Sequence, residues 1–499
     1  MAENGKADRV ATLADLGLTA QMGREARITG LAVDSRDVVE GTLFAALPGG
    51  RVHGGDFIGF ALRMGASAIL TDREGARRAA DDLASSSVAL VVAEDPRQTL
   101  ALAASLWFVK QPGTIVATTG TNGKTSVATF TRQIWMALGH VAVNLGTTGV
   151  EGAYSAPLKH TTPEPVTLHR MLAKLANAGI THAAMEASSH GLDQRRLDGV
   201  HLSAAAFTNM TQDHLDYHAT FADYFKAKAG LFSRVLSEDA IAVINIDGAY
   251  ASEMAQAAEL RGQDVLRVGR SGDASLRILN QRFDATGQDL RFSFNGRVDQ
   301  VRLNLIGGFQ AENVLVAAGL VIACGDDPVR VFATLPQLEN VPGRMQLAAT
   351  RDNGAAVFVD YAHTPDALAT ALSNLRPHVM GRLIVVYGAG GDRDTSKRPL
   401  MGAAAAKHAD VRIVTDDNPR SEEPAVIRSQ ILQSDPEASE VGDRAEAILR
   451  GIDALEPGDA LLIAGKGHEK GQTVGDVVFP FDDVEQASVA VAALDGHIA

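Results

Sequence analysis

The stretch TIVATTGTNGKTSVATFTRQIWMALG, Thr114 to Gly139, sets the architecture expected of this chain. Its first five residues read as a short buried strand. GTNGKTS, Gly120 to Ser126, reads as a glycine-bearing turn. Val127, Phe130, Ile134, Trp135 and Leu138 then fall on one face of a helix. A strand, a Gly-Lys-Thr loop and an amphipathic helix, in that order, form the context in which a loop cradles phosphates. Backbone N–H groups of Gly120, Thr121, Asn122, Gly123 and Ser126 and the helix N-terminus suit an anion. Lys124 is placed to reach the terminal phosphates, and the Thr125 hydroxyl to hold Mg²⁺. One position departs from the usual G-x-x-x-x-G-K-[ST] pattern, which has glycine where this chain has Thr118. The bland alternative is a chance Gly-Lys-Thr turn.

On both sides of this stretch, strand-like and helix-like segments alternate, the pattern of an α/β protein with parallel strands. Two joints stand out, Gln111-Pro112-Gly113 and Val341-Pro342-Gly343. They divide the 499 residues into three expected domains, 1–110, 111–343 and 344–499. With 46 basic and 60 acidic residues the formal net charge is −14, which argues against a general nucleic-acid binder but not against a local phosphate pocket. The one cysteine, Cys324, lies in the apolar run GLVIACG and reads as a buried helix position with a structural role. No signal-peptide core and no run of about 18 apolar residues is present, so a cytoplasmic protein without membrane insertion is expected.

A second stretch raises its own question. VTDDNPRSEEP, Val414 to Pro424, follows the strand-like run Val411–Val414. It sets Arg420 among Asp416, Asp417, Glu422 and Glu423. One reading is a solvated turn. The other is a pocket for something that carries both signs of charge.

Seven ordered motifs add a resemblance. They are TGTNGKTS, EASSHGLDQRR (Glu186 to Arg196), FTNMTQDHLDYH (Phe207 to His218), YFKAKAGLF (Tyr224 to Phe232), NVPGRM (Asn340 to Met345), VDYAHTPDAL (Val359 to Leu368) and GAGGDRDTSKRPLM (Gly388 to Met401). Together they resemble the Mur ligase family, ATP-dependent enzymes that build the peptide of bacterial peptidoglycan. DSRDVVEGTLFAALPG near the N-terminus, DDNPR and GKGHE are most similar to the members that add meso-2,6-diaminopimelate. The resemblance implies an N-terminal α/β domain for the UDP-sugar, a central P-loop ATPase-like domain with a parallel sheet and a Rossmann-like C-terminal domain for the amino acid. It implies an amide ligase that joins meso-diaminopimelate to UDP-N-acetylmuramoyl-L-alanyl-D-glutamate through an acyl phosphate, with ATP as co-substrate. A monomer is expected.

Phosphoryl transfer calls for cations, Mg²⁺ ligands and backbone donors. Glu186 ends the apolar run GITHAAMEASS, where an acid beside a phosphate loop suits Mg²⁺; a solvated strand-end acid is the alternative. TQDHLDYH gathers Asp213, His214, Asp216 and His218, and by resemblance His214 belongs to the metal site. Lys228 matches a position carbamylated in the family, which would turn a cation into a metal-orienting carboxylate; Lys226 reads as a surface residue. The resemblance carries adenine and ribose contacts to Asn313 and Arg344, and nucleotide contacts to Asp360 and His363. It departs at Gln310, where the family usually has asparagine. UDP-sugar peptide contacts fall on Ser35, Thr161, Thr162, Ser188, Gln194 and Arg196, whose hydroxyls, amide and guanidinium suit phosphates and carboxylates.

Diaminopimelate differs from lysine by a carboxylate on the carbon that bears the second amine. A guanidinium grips a carboxylate with two parallel hydrogen bonds, which points to Arg420, with Asn418 beside it and Pro419 stiffening the loop. Arg393 offers a second cation. Asp417, Gly465 and Glu469 complete the expected diaminopimelate set. The rival readings are the same step with L-lysine, another Mur or folylpolyglutamate-type ligase, a P-loop NTPase acting on a partner, and a non-catalytic homologue.

Overall fold

The computed structural model describes residues 9–50, 52–211, 217–284 and 286–497. By internal packing the chain divides into two compact units, 1–266 with 320–326, and 267–319 with 327–499.

The first unit opens with a four-stranded parallel sheet of β1 (Gly30–Ala32), β2 (Thr42–Ala45), β3 (Ala68–Thr71) and β4 (Ala89–Val92). Helix α1 (Pro96–Phe108) follows, started by Pro96 and capped by the Asp95 carboxylate, which accepts from the Gln98 N–H. The expected strand and helix of the opening stretch are β5 (Thr114–Thr119) and α2 (Lys124–Ala137). Val127, Phe130, Ile134 and Trp135 are buried as the helical spacing requires, whereas Leu138 is the C-cap, just past the helix, and is half-buried. Around β5 lie β6 (Ala142–Gly146), β7 (Gly149–Gly152), β8 (His182–Glu186), β9 (Ala204–Phe207) and β10 (Ile241–Asn245). They pair in the order β7-β6-β8-β5-β9-β10, parallel except for the β6–β7 hairpin. Helices α3 (Pro165–Asn177), α4 (Ser189–Asp193) and α5 (Phe221–Gly230) pack against it.

Register places the chemistry. Glu186 pairs with Thr118 and Phe207 with Thr119. The carboxyl ends of β8 and β9 therefore flank the phosphate loop, where ligands of parallel sheets bind.

The second unit holds an antiparallel meander of β11 (Leu276–Asp284), β12 (Gly287–Phe294) and β13 (Arg297–Leu303), and the first part of helix α6 (Phe309–Ala323). Its main sheet contains β14 (Gln346–Thr350), β15 (Ala356–Asp360), β16 (Leu383–Tyr387), β17 (Val411–Val414), β18 (Ser439–Glu440) and β19 (Ala460–Ala464). The order is β14-β15-β19-β16-β17-β18, parallel except at β14. Helices α7 (Pro365–Leu375), α8 (Lys397–His408), α9 (Pro424–Leu432), α10 (Arg444–Asp453) and α11 (Asp483–Leu494) cover the two faces, each with its own apolar core. A hairpin, β20 (Gly471–Val474) and β21 (Val477–Pro480), lies outside the sheet. Strands buried on both faces read as continuous apolar runs such as LIVVY and ALLIA, which is why they are legible as parallel.

Cys324 falls one residue past the end of α6 rather than within it. It is half-buried rather than buried, and partial burial with Asp326 nearby pushes its thiol up to about 12. Among the described residues no helix is long and apolar enough to cross a membrane.

Candidate active site

In the first unit the phosphate loop is held by its neighbours before any ligand arrives. Gly120 has φ +150°, and a Cβ there would stand 1.9 Å from the Thr208 hydroxyl. Gly123, at φ 85°, turns the chain into α2. The Thr121 N–H donates to the Asn209 carbonyl at 2.9 Å and the Asn122 N–H to Asn209 Oδ1 at 3.0 Å. The sequence reading assigned every loop amide to phosphate. These two are already engaged, which leaves the anion to the amides at the start of α2, where a helix has no intrahelical acceptors for its N–H groups. Lys124 Nζ donates to the Gly120 and Thr121 carbonyls, each at 2.8 Å. Lys228 is wholly buried and donates to the same Gly120 carbonyl at 2.7 Å, with its ammonium over the Tyr224 ring at 4.5 Å. Two lysines converge on one backbone oxygen.

Glu186 organises the rest. Its Oε2 accepts from the Thr125 hydroxyl at 3.0 Å, its Oε1 from the Thr147 N–H at 2.7 Å, and its backbone carbonyl from the Thr162 hydroxyl at 2.9 Å. Gly146 leaves room for it: a Cβ there would meet Glu186 Oε1 at 1.9 Å. Thr147 also bonds the Thr161 hydroxyl at 3.1 Å. From Thr162 the network runs on. The Ser188 N–H donates to the Thr162 hydroxyl at 3.1 Å, and Ser188 Oγ caps α4 through the Gly191 N–H. Arg196 donates to the Thr162 carbonyl at 2.6 Å and to Gln194 Oε1 at 2.7 Å, while Gln194 donates to the Tyr217 hydroxyl. Burial pulls the Arg196 guanidinium below its ordinary value.

Thr125, Glu186, Lys228, Thr161, Thr162, Ser188, Gln194 and Arg196 thus lie within one connected neighbourhood. Ser35 stands in a turn after β1, capped by Asp34, and no side-chain hydrogen bond joins it to the others among the described residues. His214 lies outside the described residues. Among those described, no cluster of three or more His, Cys, Asp or Glu side chains suited to a metal is found. The buried hydroxyl of Thr125 and the carboxylate of Glu186 are nevertheless hard oxygen donors side by side, the chemistry Mg²⁺ takes.

In the second unit four motifs meet at the carboxyl ends of the parallel strands. Asp360 pairs with Ala464, and the Gly465 N–H donates to the Asp360 carbonyl. Asp360 Oδ2 accepts the Met345 N–H at 2.6 Å; burial raises its carboxyl, opposed by Arg344. Arg344 lies over the Tyr361 ring at 4.9 Å, and Tyr361 packs on His363 and His468. His363 bonds the Tyr361 carbonyl through Nδ1, and Lys397 donates to the His363 carbonyl. The VPGRM and GKGHE loops touch backbone to backbone: a Cβ on Gly343 would stand 2.3 Å from the His468 nitrogen. Asn313, on α6, donates to Gln310 Oε1 at 3.1 Å, and Gln310 Nε2 is buried without a partner among the described residues. The departure from asparagine therefore keeps a hydrogen bond and leaves an amide N–H group open to a ligand acceptor.

The Asp417–Arg420 loop leaves the end of β17. Gly391 fits against it only without a side chain, since a Cβ would lie 1.9 Å from the Pro419 carbonyl. Arg420 takes the left-handed φ of 52°, and its backbone is bonded at both ends to the hairpin: its N–H to the Thr473 carbonyl, its carbonyl to the Gly475 N–H. Its guanidinium donates to the Gly391 carbonyl at 2.8 Å. Asn418 is buried and donates to Glu469 at 2.9 Å. Asp417 is buried as well, and its Oδ2 has no partner among the described residues. Gly465 lies against that oxygen; a Cβ there would approach it to 2.5 Å. Arg393 is exposed. Behind the loops, Arg444 and Asp483 form a fully buried ion pair, and Arg444 also donates to the carbonyls of Ala464 and Asp416.

Comparison with known proteins accords with this geometry. Family models match at residues 27–107 (Mur ligase family, catalytic domain), 118–321 (Mur ligase middle domain) and 343–467 (Mur ligase, glutamate ligase domain). A protein of Caulobacter vibrioides is 50% identical over 475 residues, 94% of this chain and 96% of its own length. The chain belongs to the Mur ligase family. That relative is named UDP-N-acetylmuramoyl-L-alanyl-D-glutamate--2,6-diaminopimelate ligase, as is a Bradyrhizobium diazoefficiens protein 50% identical over 93% of this Mur ligase and 95% of its own length. A solved structure of the same name is 33% identical, with a TM-score of 0.72 over 98% of this chain and 100% of its own. Folylpolyglutamate synthase of Mycobacterium tuberculosis, solved with ADP, shares the fold at 20% identity, with a TM-score of 0.63 over 79% of this Mur ligase and 94% of its own chain.

Sequence reading missed several residues of this Mur ligase. Thr147 grips Glu186, yet its only signal is a glycine-flanked threonine pair, Gly146 to Gly149, after an apolar run. Asn209 and Tyr224, which hold Thr121 and Asn122, lie inside motifs already singled out. So does Lys466, wholly buried between the two chosen positions of GKGHE.

Proposed function

We propose that this Mur ligase joins meso-2,6-diaminopimelate to UDP-N-acetylmuramoyl-L-alanyl-D-glutamate with ATP, the step for which its half-identical relatives are named. The single observation that carries the amino-acid choice is the Asp417–Arg420 loop. It offers a buried carboxylate oxygen without a partner and a guanidinium a few residues apart. A ligand end with one ammonium and one carboxylate answers both; the lysine side chain answers only the first.

In this reading Lys124 and the amides at the start of α2 hold the terminal phosphates of ATP. The Lys124 ammonium gives up its contacts with the Gly120 and Thr121 carbonyls to do so. The γ-phosphoryl passes to the free carboxylate of the dipeptide, the amine of diaminopimelate attacks the acyl carbon, and phosphate leaves. Thr125 and Glu186 would hold Mg²⁺, with His214 and a carbamylated Lys228 completing the set; the ion would neutralise charge on the transferring group. Thr161, Thr162, Ser188, Gln194 and Arg196 take the UDP-sugar peptide, with Ser35 of the N-terminal domain. Asn313, Arg344, Asp360 and His363 take adenine, ribose and adjacent groups. The domains 1–110, 111–343 and 344–499 share these roles, the enzyme working as a cytoplasmic monomer.

The test is a product assay with the UDP-sugar dipeptide and ATP, comparing meso-diaminopimelate with L-lysine. Tripeptide product from diaminopimelate alone is expected. Equal use of the two amino acids refutes the assignment.

A further inference from the structure

We propose that Lys466 is a positioning residue that sets the amino-acid specificity of this pocket, a claim that rests on the ligase reading above. Lysine is seldom fully buried unless paired, and Lys466 has no exposed surface. Its ammonium donates to Asn418 Oδ1 at 3.0 Å and to Glu469 Oε2 at 3.3 Å.

The first contact fixes an amide. Asn418 Oδ1 also accepts the Thr473 N–H at 2.9 Å. Two donors on one atom identify that atom as the oxygen and forbid the flipped amide. Asn418 Nδ2 must then face Glu469, to which one of its protons goes at 2.9 Å. The second N–H has no protein acceptor among the described residues. It is left for a carboxylate, alongside Arg420.

The second contact settles the charge. The loops at this pocket bring two carboxylates, Asp417 and Glu469, and two cations, Lys466 and Arg420, while Lys397 acts on Asp417 and the buried Arg444 on both carboxylates from behind. Lys466 neutralises Glu469. That leaves Asp417, whose inner oxygen is unpartnered, and Arg420. The remaining pair matches a ligand end of one ammonium and one carboxylate. Without Lys466 the Glu469 carboxylate loses its hydrogen-bonded cation and the pocket becomes one charge more negative, a change that favours a bare ammonium such as the lysine side chain over an end that also carries a carboxylate. A merely structural lysine would have no bearing on that preference.

The experiment measures kcat and KM of the full-length enzyme for meso-diaminopimelate and for L-lysine in wild type, K466M, E469Q and the double variant, with folding checked by thermal unfolding. K466M is expected to raise KM for diaminopimelate by about tenfold, with kcat changed less, because it takes the ammonium from the buried Asn418 amide oxygen and from the half-buried Glu469 carboxylate at once. The diaminopimelate-to-lysine preference falls with it. Adding E469Q to K466M removes the bare carboxylate and brings KM back to within about threefold of E469Q alone, a non-additivity expected only of directly coupled groups. K466Q carries the same expectations where K466M does not fold. An unchanged preference, or no rescue by E469Q, overturns the proposal while wild-type use of diaminopimelate leaves the ligase reading standing. A wild type that cannot use diaminopimelate overturns both.

Discussion

The phosphate loop of the first unit and the Asp417–Arg420 loop of the second both leave the carboxyl ends of parallel strands, yet they hold the groups named for function in different ways. In the first, the groups named for catalysis already hold protein partners: Lys124 and Lys228 on Gly120, Thr125 and Thr147 on Glu186. A ligand there exchanges one set of hydrogen bonds for another. In the second, the scaffold is bonded but a buried carboxylate oxygen and an amide N–H are left over. A ligand there meets polar groups that its own charges can pair. The first arrangement suits a nucleotide, whose phosphates bring charge enough to displace internal bonds. The second suits discrimination, because a wrong ligand leaves a buried group unpaired, and that costs far more than a missing surface contact.

The largest effect expected from this contrast is at Lys124. Lys124→Met should lower kcat by at least about a thousandfold, as removal of a charge-stabilising group in phosphoryl transfer does. Its fold should survive, since the backbone of the loop is held by Asn209 and Thr208. Phosphate release dependent on both the dipeptide and the amino acid is the readout. Retained turnover would mean that the internal bonds of Lys124 are its whole purpose.

Arg420→Ala comes next. Loss of a charge-assisted contact should cut kcat/KM for diaminopimelate by about a hundredfold and leave ATP affinity unchanged. Titration of each ligand by calorimetry separates the two. An ATP affinity that falls in step would erase the distinction between the loops.

Gly465→Ala is smaller in volume and more local. It places a methyl group 2.5 Å from Asp417 Oδ2, on a backbone at φ +119°. The oxygen kept for an ammonium is then blocked. KM for diaminopimelate should rise by about tenfold or more, at a stability cost of about 1–3 kcal/mol for the strained backbone. An unchanged KM would remove Asp417 from the site.

The same contrast separates what was legible in the sequence from what was not. The strand, turn and helix of Thr114–Gly139 are written in periodicity and glycine, and they appear where expected. Arg420 stood out because a guanidinium in an acidic turn needs a reason. Register was not legible. That Glu186 lies beside Thr118, and so reaches both Thr125 and Thr147, follows from strand pairing across more than sixty residues of sequence. Nor was saturation: nothing in GTNGKTS says that two of its amides are claimed by Asn209. Lys466 was hidden by a different cause. Between two glycines in a polar motif it looks exposed, and only the packing of Gly343 and Tyr361 around Gly467 shows that the loop is folded inward.

The smallest effect on catalysis, and a clear one on stability, is expected at His169. It lies on α3, buried, with Nε2 3.1 Å from the Asp198 carbonyl. Asp198 in turn binds Gln98 and Arg234, so the imidazole belongs to the bonded interior of the first unit. Burial, and then His201, lowers its pKa from 6.5 to about 4. The neutral ring is the native form. As pH falls through 6.5 the unfolded chain gains a proton that the native chain refuses, so stability drops until pH reaches about 4 and then levels. The loss attached to this one group is on the order of 3 kcal/mol. His169→Gln keeps a polar side chain and removes the titration. Both tryptophans, Trp107 and Trp135, lie in the first unit, so denaturant unfolding followed by their fluorescence reports on it alone. Between pH 7.5 and 5 the wild type should lose stability faster than the variant, while kcat at pH 7.5 stays within about twofold, as for a change remote from the chemistry. Parallel stability curves would place the acid sensitivity elsewhere, and with it the view that the bonded unit answers to protons while the open pocket answers to its amino acid.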